Sequence, residues 1–395
     1  MAIGCHPTRH EWWVYFANHP GPWLVAELSR RLGAVVRVPV LGSLVSDPAV
    51  AWALLHDDVR FTKAGPGSFG ALVTQVMGET ALINMDGPAH RELREQLRSL
   101  FSARYVETLA REALAQPLDC LRARLAAGET VDLVPFMHQL TGRVTCRMLG
   151  VNVDSEAATR TYSEIVALGQ RLAAAVQFNA RPLPAQRVAE LRADLERLVA
   201  YAHEARDGSI VERLGGLGLT FDDIKGVLGT LFLVGTQTTS VAVPRIVALL
   251  LDTGEWSRLR ADRGLLSSAI DEGLRCTVPV PATIRSVAHD AEVDGFHFRA
   301  GTRAFVFTYN LAKHPRLFPN PERFDIARRC GDPRGRHLWY GSGPHFCMGF
   351  ALAQREIGAV LDALLDVPGE LRVVRRKAAR GVLLPGYAQL EVRAA

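Results

Sequence analysis

Residues 340–350 read YGSGPHFCMGF, with glycines at 341, 343 and 349, Pro344 and His345 gathered around Cys347. The next segment, FALAQREIGAVLDALL (350–365), sets Ile357, Val360, Leu361, Leu364 and Leu365 on one helical face, and Val367-Pro368-Gly369 stops it. Cys347 therefore stands just ahead of a helix N-terminus. Unpaired N–H groups and the helix dipole there favour an anionic sulfur. The glycines let the backbone turn tightly and approach a flat ligand. The plain alternative is a structural cysteine in a Gly-rich turn, since free cysteine is among the most buried residue types. The rest of the chain has to separate the two.

The chain has 395 residues, 48% apolar and 22% charged, which is ordinary for a globular protein. Its net charge of +5 is modest and spread along the chain, and it suits an acidic protein partner as well as a nucleic acid. The six cysteines (Cys5, Cys120, Cys146, Cys276, Cys330, Cys347) form no C-x-x-C pair and no zinc spacing, as expected of reduced thiols in a cytoplasmic protein. The N-terminal MAIGCHPTRHEWWVYFANHPGPW reads as neither signal peptide nor membrane anchor. The apolar run at 227–251 is broken by Thr, Gln, Ser, Pro and Arg, which predicts a buried core helix.

Helical patterns cover 89–101, 105–126, 154–178 and 185–206. Strand-like alternation occupies 285–309, with shorter candidates at 34–40, 371–374 and 389–392. Loops rich in Pro and Gly fall at 62–70, 181–184 and 313–349, and no linker separates two domains. The expectation is a single domain over 1–395, mainly α with a small β part.

Other pairs take on meaning only together. Glu272 and Arg275 are spaced i, i+3 on a helix, as a surface ion pair would be; His90 and Arg94 are spaced i, i+4. In Val234-Gly235-Thr236-Gln237-Thr238-Thr239, Gly235 leaves a small gap, and the Thr238 hydroxyl can bond the Val234 carbonyl one turn back. Pro244 cannot donate to the Ser240 carbonyl, which predicts a bend.

Tyr340, Gly343, His345, Cys347 and Gly349 closely resemble the haem-binding signature of cytochrome P450 enzymes, Phe-x-x-Gly-x-(Arg/His)-x-Cys-x-Gly, with Tyr for Phe at 340. The resemblance extends to Glu272-x-x-Arg275, and to Pro321-Glu322-Arg323-Phe324, whose arginine in the family joins that Glu as a second partner. It implies the cytochrome P450 fold and haem b, with Cys347 as the proximal thiolate. It also implies propionate partners at His90, Arg94, Arg285 and His345. On the central helix, Gly235, Gln237 and Thr238 match the oxygen-activating motif with two departures. Gln237 replaces the usual acid and cannot exchange a proton at neutral pH, and Val234 replaces a smaller residue.

The same resemblance implies an O2-activating, ferredoxin-dependent monooxygenase that draws electrons from NAD(P)H through a separate ferredoxin and its reductase. Arg328, Arg329, Arg334 and Arg336, with the 89–101 helix, are the expected docking face. Segments that line the pocket in the family map onto Phe69, Val73, Met77, Leu82, Phe178, Leu233, Val234, Val280, Ile284, Val382 and Leu383. They suit a small, largely apolar or aromatic substrate, such as a natural-product intermediate, held by an amide such as Gln177 or Asn179. Two other readings stay open. One is a same-fold oxidase that couples or desaturates substrates without inserting oxygen, raised by Gln237. The other is a non-catalytic haem sensor or carrier.

Overall fold

The computed structural model describes residues 6–65, 69–150, 156–175, 183–204, 210–329 and 332–395. From the N-terminus come α1 (Arg9–Asn18), α2 (Pro20–Leu32), the hairpin β1 (Val35–Val38) and β2 (Gly42–Val45), α3 (Pro48–His56) and β3 (Phe61–Thr62). Then come α4 (Phe69–Met77), α5 (Gly87–Leu97), α6 (Ala103–Ala126), β4 (Thr130–Asp132), α7 (Leu133–Met148), α8 (Glu156–Ala175), α9 (Ala185–Glu204) and α10 (Ile210–Gly216). The second half holds α11 (Phe221–Asp252), α12 (Glu255–Ala261), α13 (Leu266–Thr277), β5 (Thr283–Val287), β6 (Ala291–Val293), β7 (Phe296–Phe298) and β8 (Arg303–Val306). It closes with α14 (Thr308–Leu311), α15 (Phe350–Leu365), β9 (Leu371–Ala378) and β10 (Tyr387–Ala394).

α11 is the axis. A capping box starts it: Thr220 Oγ1 accepts from the Asp223 N–H at 3.2 Å, and Asp223 Oδ2 accepts from the Thr220 N–H at 3.0 Å. The helix is long and apolar enough to cross a membrane, but most of that apolar surface is buried against the rest of the protein. It packs on α7, α8, α13 and α15. α8 crosses it closely at Gly169, where any Cβ would collide with Thr236 Oγ1. α11 stays continuous through Pro244, so the bend expected there does not interrupt it.

The main sheet has the order β1-β2-β8-β5-β3. β3 and β5 run antiparallel with Phe61 opposite Val287 and Thr62 opposite Ser286. This register brings the chain after Thr62 alongside Arg285. A second sheet, β4-β10-β9, ties the C-terminus to the start of α7. α1 and α2 are helices that the sequence pattern did not signal, because WWVYF does not segregate apolar and polar residues by face. Tertiary contacts hold α1 instead. Glu11 and Arg245 of α11 form a fully buried ion pair, and Arg245 also donates to the Pro385 carbonyl at 2.9 Å.

Candidate active site

The cysteine loop turns at Gly341 (φ 82°) and Gly343 (φ 66°), both in the left-handed region. Gly343 has a second constraint: a Cβ there would lie 2.5 Å from the Leu55 carbonyl oxygen and 3.0 Å from His56 Cα, both backbone atoms of α3. Gly349 departs from the expectation of a tight turn, since its φ is −81°. A Cβ on it would sit 3.9 Å from Cys347 Sγ, an ordinary van der Waals contact, so neither its φ nor a close approach demands glycine there. The Cys347 N–H donates to the Tyr340 carbonyl at 2.9 Å, and Arg94 Nη2 donates to the Phe346 carbonyl at 2.7 Å. Burial pushes the Cys347 thiol up, while the Gly349 N–H and the Arg94 charge pull it down. Residues 341–355 are all only partly buried, whereas α15 becomes buried from Glu356 onward. The loop and the first turns of α15 therefore face open space.

α11 has an open stripe too. Leu231, Val234, Thr238 and Val241 are half-buried and Gly235 is exposed, while the residues between them are buried. The spacing i, i+3, i+4, i+7 is one helical face. Thr238 Oγ1 donates to the Val234 carbonyl at 2.7 Å, as its spacing suggested. Gln237 lies off this stripe. It is buried, its Nε2 donates to Thr236 Oγ1 at 3.2 Å, and it packs towards Gly169 of α8. The stripe itself carries no ionisable side chain.

A buried basic cluster forms beside the loop. His90 is 0% exposed and neither ring nitrogen has a hydrogen-bond partner among the described residues; its ring stacks on His345 with centroids 4.2 Å apart. His345 Nε2 lies 3.1 Å from Asp86 Oδ1, and Asp86 Oδ2 accepts from the N–H groups of Lys63 at 2.6 Å and Ala64 at 3.1 Å. Arg285 is buried and, among the described residues, donates to Thr283 Oγ1 (2.8 Å) and the Ile284 carbonyl (3.2 Å). Burial, with help from neighbouring cations, lowers His90 to about 4, Lys63 to about 7 and His345 well below its usual range. Burial brings Arg285 to about 10. With both imidazoles neutral, Lys63 and Arg285 act on Asp86, while Arg94 is turned to the Phe346 carbonyl beside Cys347. Lys63, at about 7, is only partly charged at neutral pH, so with Arg94 and Arg285 it leaves a positive excess that suits the anionic propionates of haem, which the His90 nitrogens are also free to meet. These residues fit the group. Lys63 and Asp86 were missed in the sequence because neither belongs to a spaced motif.

The brace around Glu272 differs from expectation. Arg275 binds Glu272 bidentately at 2.7 and 2.8 Å, as expected. The second arginine is Arg328, whose Nε lies 3.0 Å from both Glu272 oxygens. Arg323 points outward, and only its carbonyl takes part, accepting from Arg275 (3.1 Å) and Arg328 (2.7 Å). The turn at Phe324–Arg328 carries the guanidinium back to the carboxylate. Arg328 is thereby removed from the docking face, and Arg334 is paired with Asp332 at 2.8 Å. Arg329 and Arg336 remain exposed. The added hydroxyl of Tyr340 is buried without a hydrogen-bond partner among the described residues, and the Gln354 amide beside it is turned to Asp271 at 2.9 Å.

The expected pocket residues do not form one wall. Val73, Met77 and Leu233 line a small apolar recess with Val76, Leu172, Ala175 and Leu183, so Leu233 faces α4 and α8 rather than the stripe. Leu383 lines a separate aromatic recess with Tyr15, Trp23, Phe307 and Tyr309. Leu82 is buried, Ile284 is half-buried, and Val280 and Val382 are each 40% exposed at the surface. The side chain of Phe69, and the whole of Gln177, Phe178 and Asn179, lie outside the described residues.

The family model for cytochrome P450 matches residues 257–366, which include the Glu272 brace and the cysteine loop. The chain is 33% identical to cytochrome P450 monooxygenase PikC of Streptomyces venezuelae, over 78% of this chain and 74% of that one. It belongs to the cytochrome P450 family. It is also 31% identical to 6-deoxyerythronolide B hydroxylase of Saccharopolyspora erythraea, covering 78% of this chain and 76% of that one. The crystal structure of CalO2 superposes with a TM-score of 0.81 at 22% identity, over 95% of this chain and 96% of that one, and shows the same fold. This P450 is a haem-thiolate monooxygenase, as its named relatives are, and the sensor or carrier reading falls away.

Proposed function

We propose that this P450 oxidises a small, largely apolar or aromatic natural-product intermediate, with Cys347 as the iron ligand and Thr238 as the hydroxyl at the oxygen-binding face. The observation that carries the site assignment is the pairing of a glycine-flanked Cys347 with a buried basic cluster whose positive excess suits haem propionates. Haem bound there supplies the oxidising chemistry: with two electrons and two protons, one atom of dioxygen enters the substrate and the other leaves as water. The chain's own residues do the rest. Arg94, Arg285, His90 and His345 hold the propionate edge, and the Gly349 N–H moderates the sulfur. The Thr238 hydroxyl donates its hydrogen bond to the Val234 carbonyl, which leaves the lone pairs of Oγ1 free to accept from a water on the open stripe.

Substrate class rests on relatives. One is named 20-oxo-5-O-mycaminosyltylactone 23-monooxygenase and another 6-deoxyerythronolide B hydroxylase, and Leu231, Val234 and Val241 on the stripe suit a largely apolar substrate. Electrons would arrive from NAD(P)H through a cytoplasmic ferredoxin and its reductase, docking near Arg329 and Arg336. A second reading, coupling or desaturation, is favoured by one observation: no ionisable side chain lies on the stripe, and Gln237 is turned to α8.

Turnover with a surrogate ferredoxin system under heavy dioxygen separates the two. A product that gains one labelled oxygen supports insertion. A product lighter by two hydrogens and carrying no label overturns it in favour of the second reading. A ferrous–CO spectrum of thiolate type that survives Cys347→Ser would overturn the ligand assignment.

A further inference from the structure

The segment from Lys63 to Asp86 leaves the main sheet at β3, carries α4 with Val73 and Met77, and returns at the start of α5. Asp86 clasps both of its ends: Oδ2 takes the Lys63 and Ala64 N–H groups, while Oδ1 takes His345 of the cysteine loop. At Gly65 the loop presses so close to Ser286 that no Cβ fits. Continuing the β3–β5 register by one residue sets Lys63 opposite Arg285.

Lys63 Nζ nonetheless has no hydrogen bond and no ion pair among the described residues. Asp86 acts on it through charge alone: no hydrogen bond or ion pair joins the two side chains, and the carboxylate is held by His345 and the two N–H groups. Asp58, the other acid acting on this cluster, is bound by Arg91 at 2.7 Å and by the Gly87 N–H at 3.2 Å. A partly buried ammonium beside Arg285 and Arg94 is costly unless an anion joins it.

We propose that Lys63 is a further propionate-binding residue, and that together with the Asp86 clasp it fastens the 63–86 segment, and α4 with it, to the haem edge. The proposal rests on the haem-thiolate reading. It couples cofactor retention to the order of a segment that borders the apolar recess.

The test is the rate of haem transfer from ferric holoprotein to excess apomyoglobin, for wild type, Lys63→Met and Lys63→Arg, with limited proteolysis of the same samples. Lys63→Met should release haem about tenfold faster, the scale of one lost charge-assisted hydrogen bond, while Lys63→Arg stays near wild type. Cleavage within 63–86 should accelerate in Lys63→Met and in Asp86→Asn. If Lys63→Met holds no haem at all while Lys63→Arg holds it normally, the charge requirement is met. A thiolate-type ferrous–CO band in wild type with equal haem release by wild type and Lys63→Met overturns this proposal alone. Absence of that band in wild type overturns the ligand reading beneath it and this proposal with it.

Discussion

Arg328→Ala should be far more damaging than Arg323→Ala, although the sequence motif singles out Arg323. Glu272 is 3% exposed, and Arg328 provides two of its contacts at 3.0 Å. Arg328 also donates to the carbonyls of Pro319 (2.6 Å), Asn320 (3.2 Å) and Arg323 (2.7 Å), pinning the turn that leads to the cysteine loop. Breaking a buried ion pair from one side costs about 3–5 kcal/mol. Glu272 keeps the bidentate Arg275 and the Asp325 N–H at 3.0 Å, which lowers the expected cost to about 2–4 kcal/mol. Arg323 is exposed and contributes only its carbonyl, which alanine retains, so its loss should stay within about 0.5 kcal/mol. Urea unfolding of each holoprotein, followed by far-UV circular dichroism and haem absorbance, gives both values. Equal losses for the two variants, or an Arg328→Ala effect below about 0.5 kcal/mol, would refute the brace as drawn.

The same geometry sets three further outcomes. Gly343→Ala puts a methyl against the α3 backbone at a left-handed φ, and should cost about 2–3 kcal/mol and diminish the thiolate-type ferrous–CO band; an unchanged band and stability would count against the α3 contact. Glu356 is buried on α15 with the Thr239 hydroxyl as its polar neighbour, and burial lifts its carboxyl to about 8. Between about 4.5 and 8 the folded state therefore holds a proton that the unfolded chain has released, so stability falls as pH rises through that window. Glu356→Gln should flatten the slope, which denaturation at both ends of the window would reveal; parallel slopes would contradict it. Thr220→Ala removes one half of the capping box of α11 and should cost about 1 kcal/mol in thermal or urea unfolding, with the haem spectrum unchanged.

Local chemistry decided what could be read directly from the chain. The cysteine loop, His90 with Arg94, and Glu272 with Arg275 were legible because their spacing spans a turn or two of one backbone segment. There, helix periodicity and glycine geometry leave little freedom. The core character of α11 was legible for the same reason, and so was its back-bonded Thr238. Relations between distant segments were not. Arg328 replaces Arg323 because a turn aims one guanidinium inward and the other out, and both lie within the same short stretch. Gln237 is buried off the open stripe of α11, on the side where α8 crosses at Gly169. Lys63 and Asp86 join the basic cluster only through the β3–β5 register and the close fit of Gly65 to Ser286. Val280 and Val382 turn out exposed because lining a pocket depends on how whole segments pack, and apolar character alone does not report that. The sequence by itself determined which groups could bind a haem and start the helices around it. Tertiary structure decided which of them meet, because charge pairing and burial act across space between residues whose separation along the chain carries no signal.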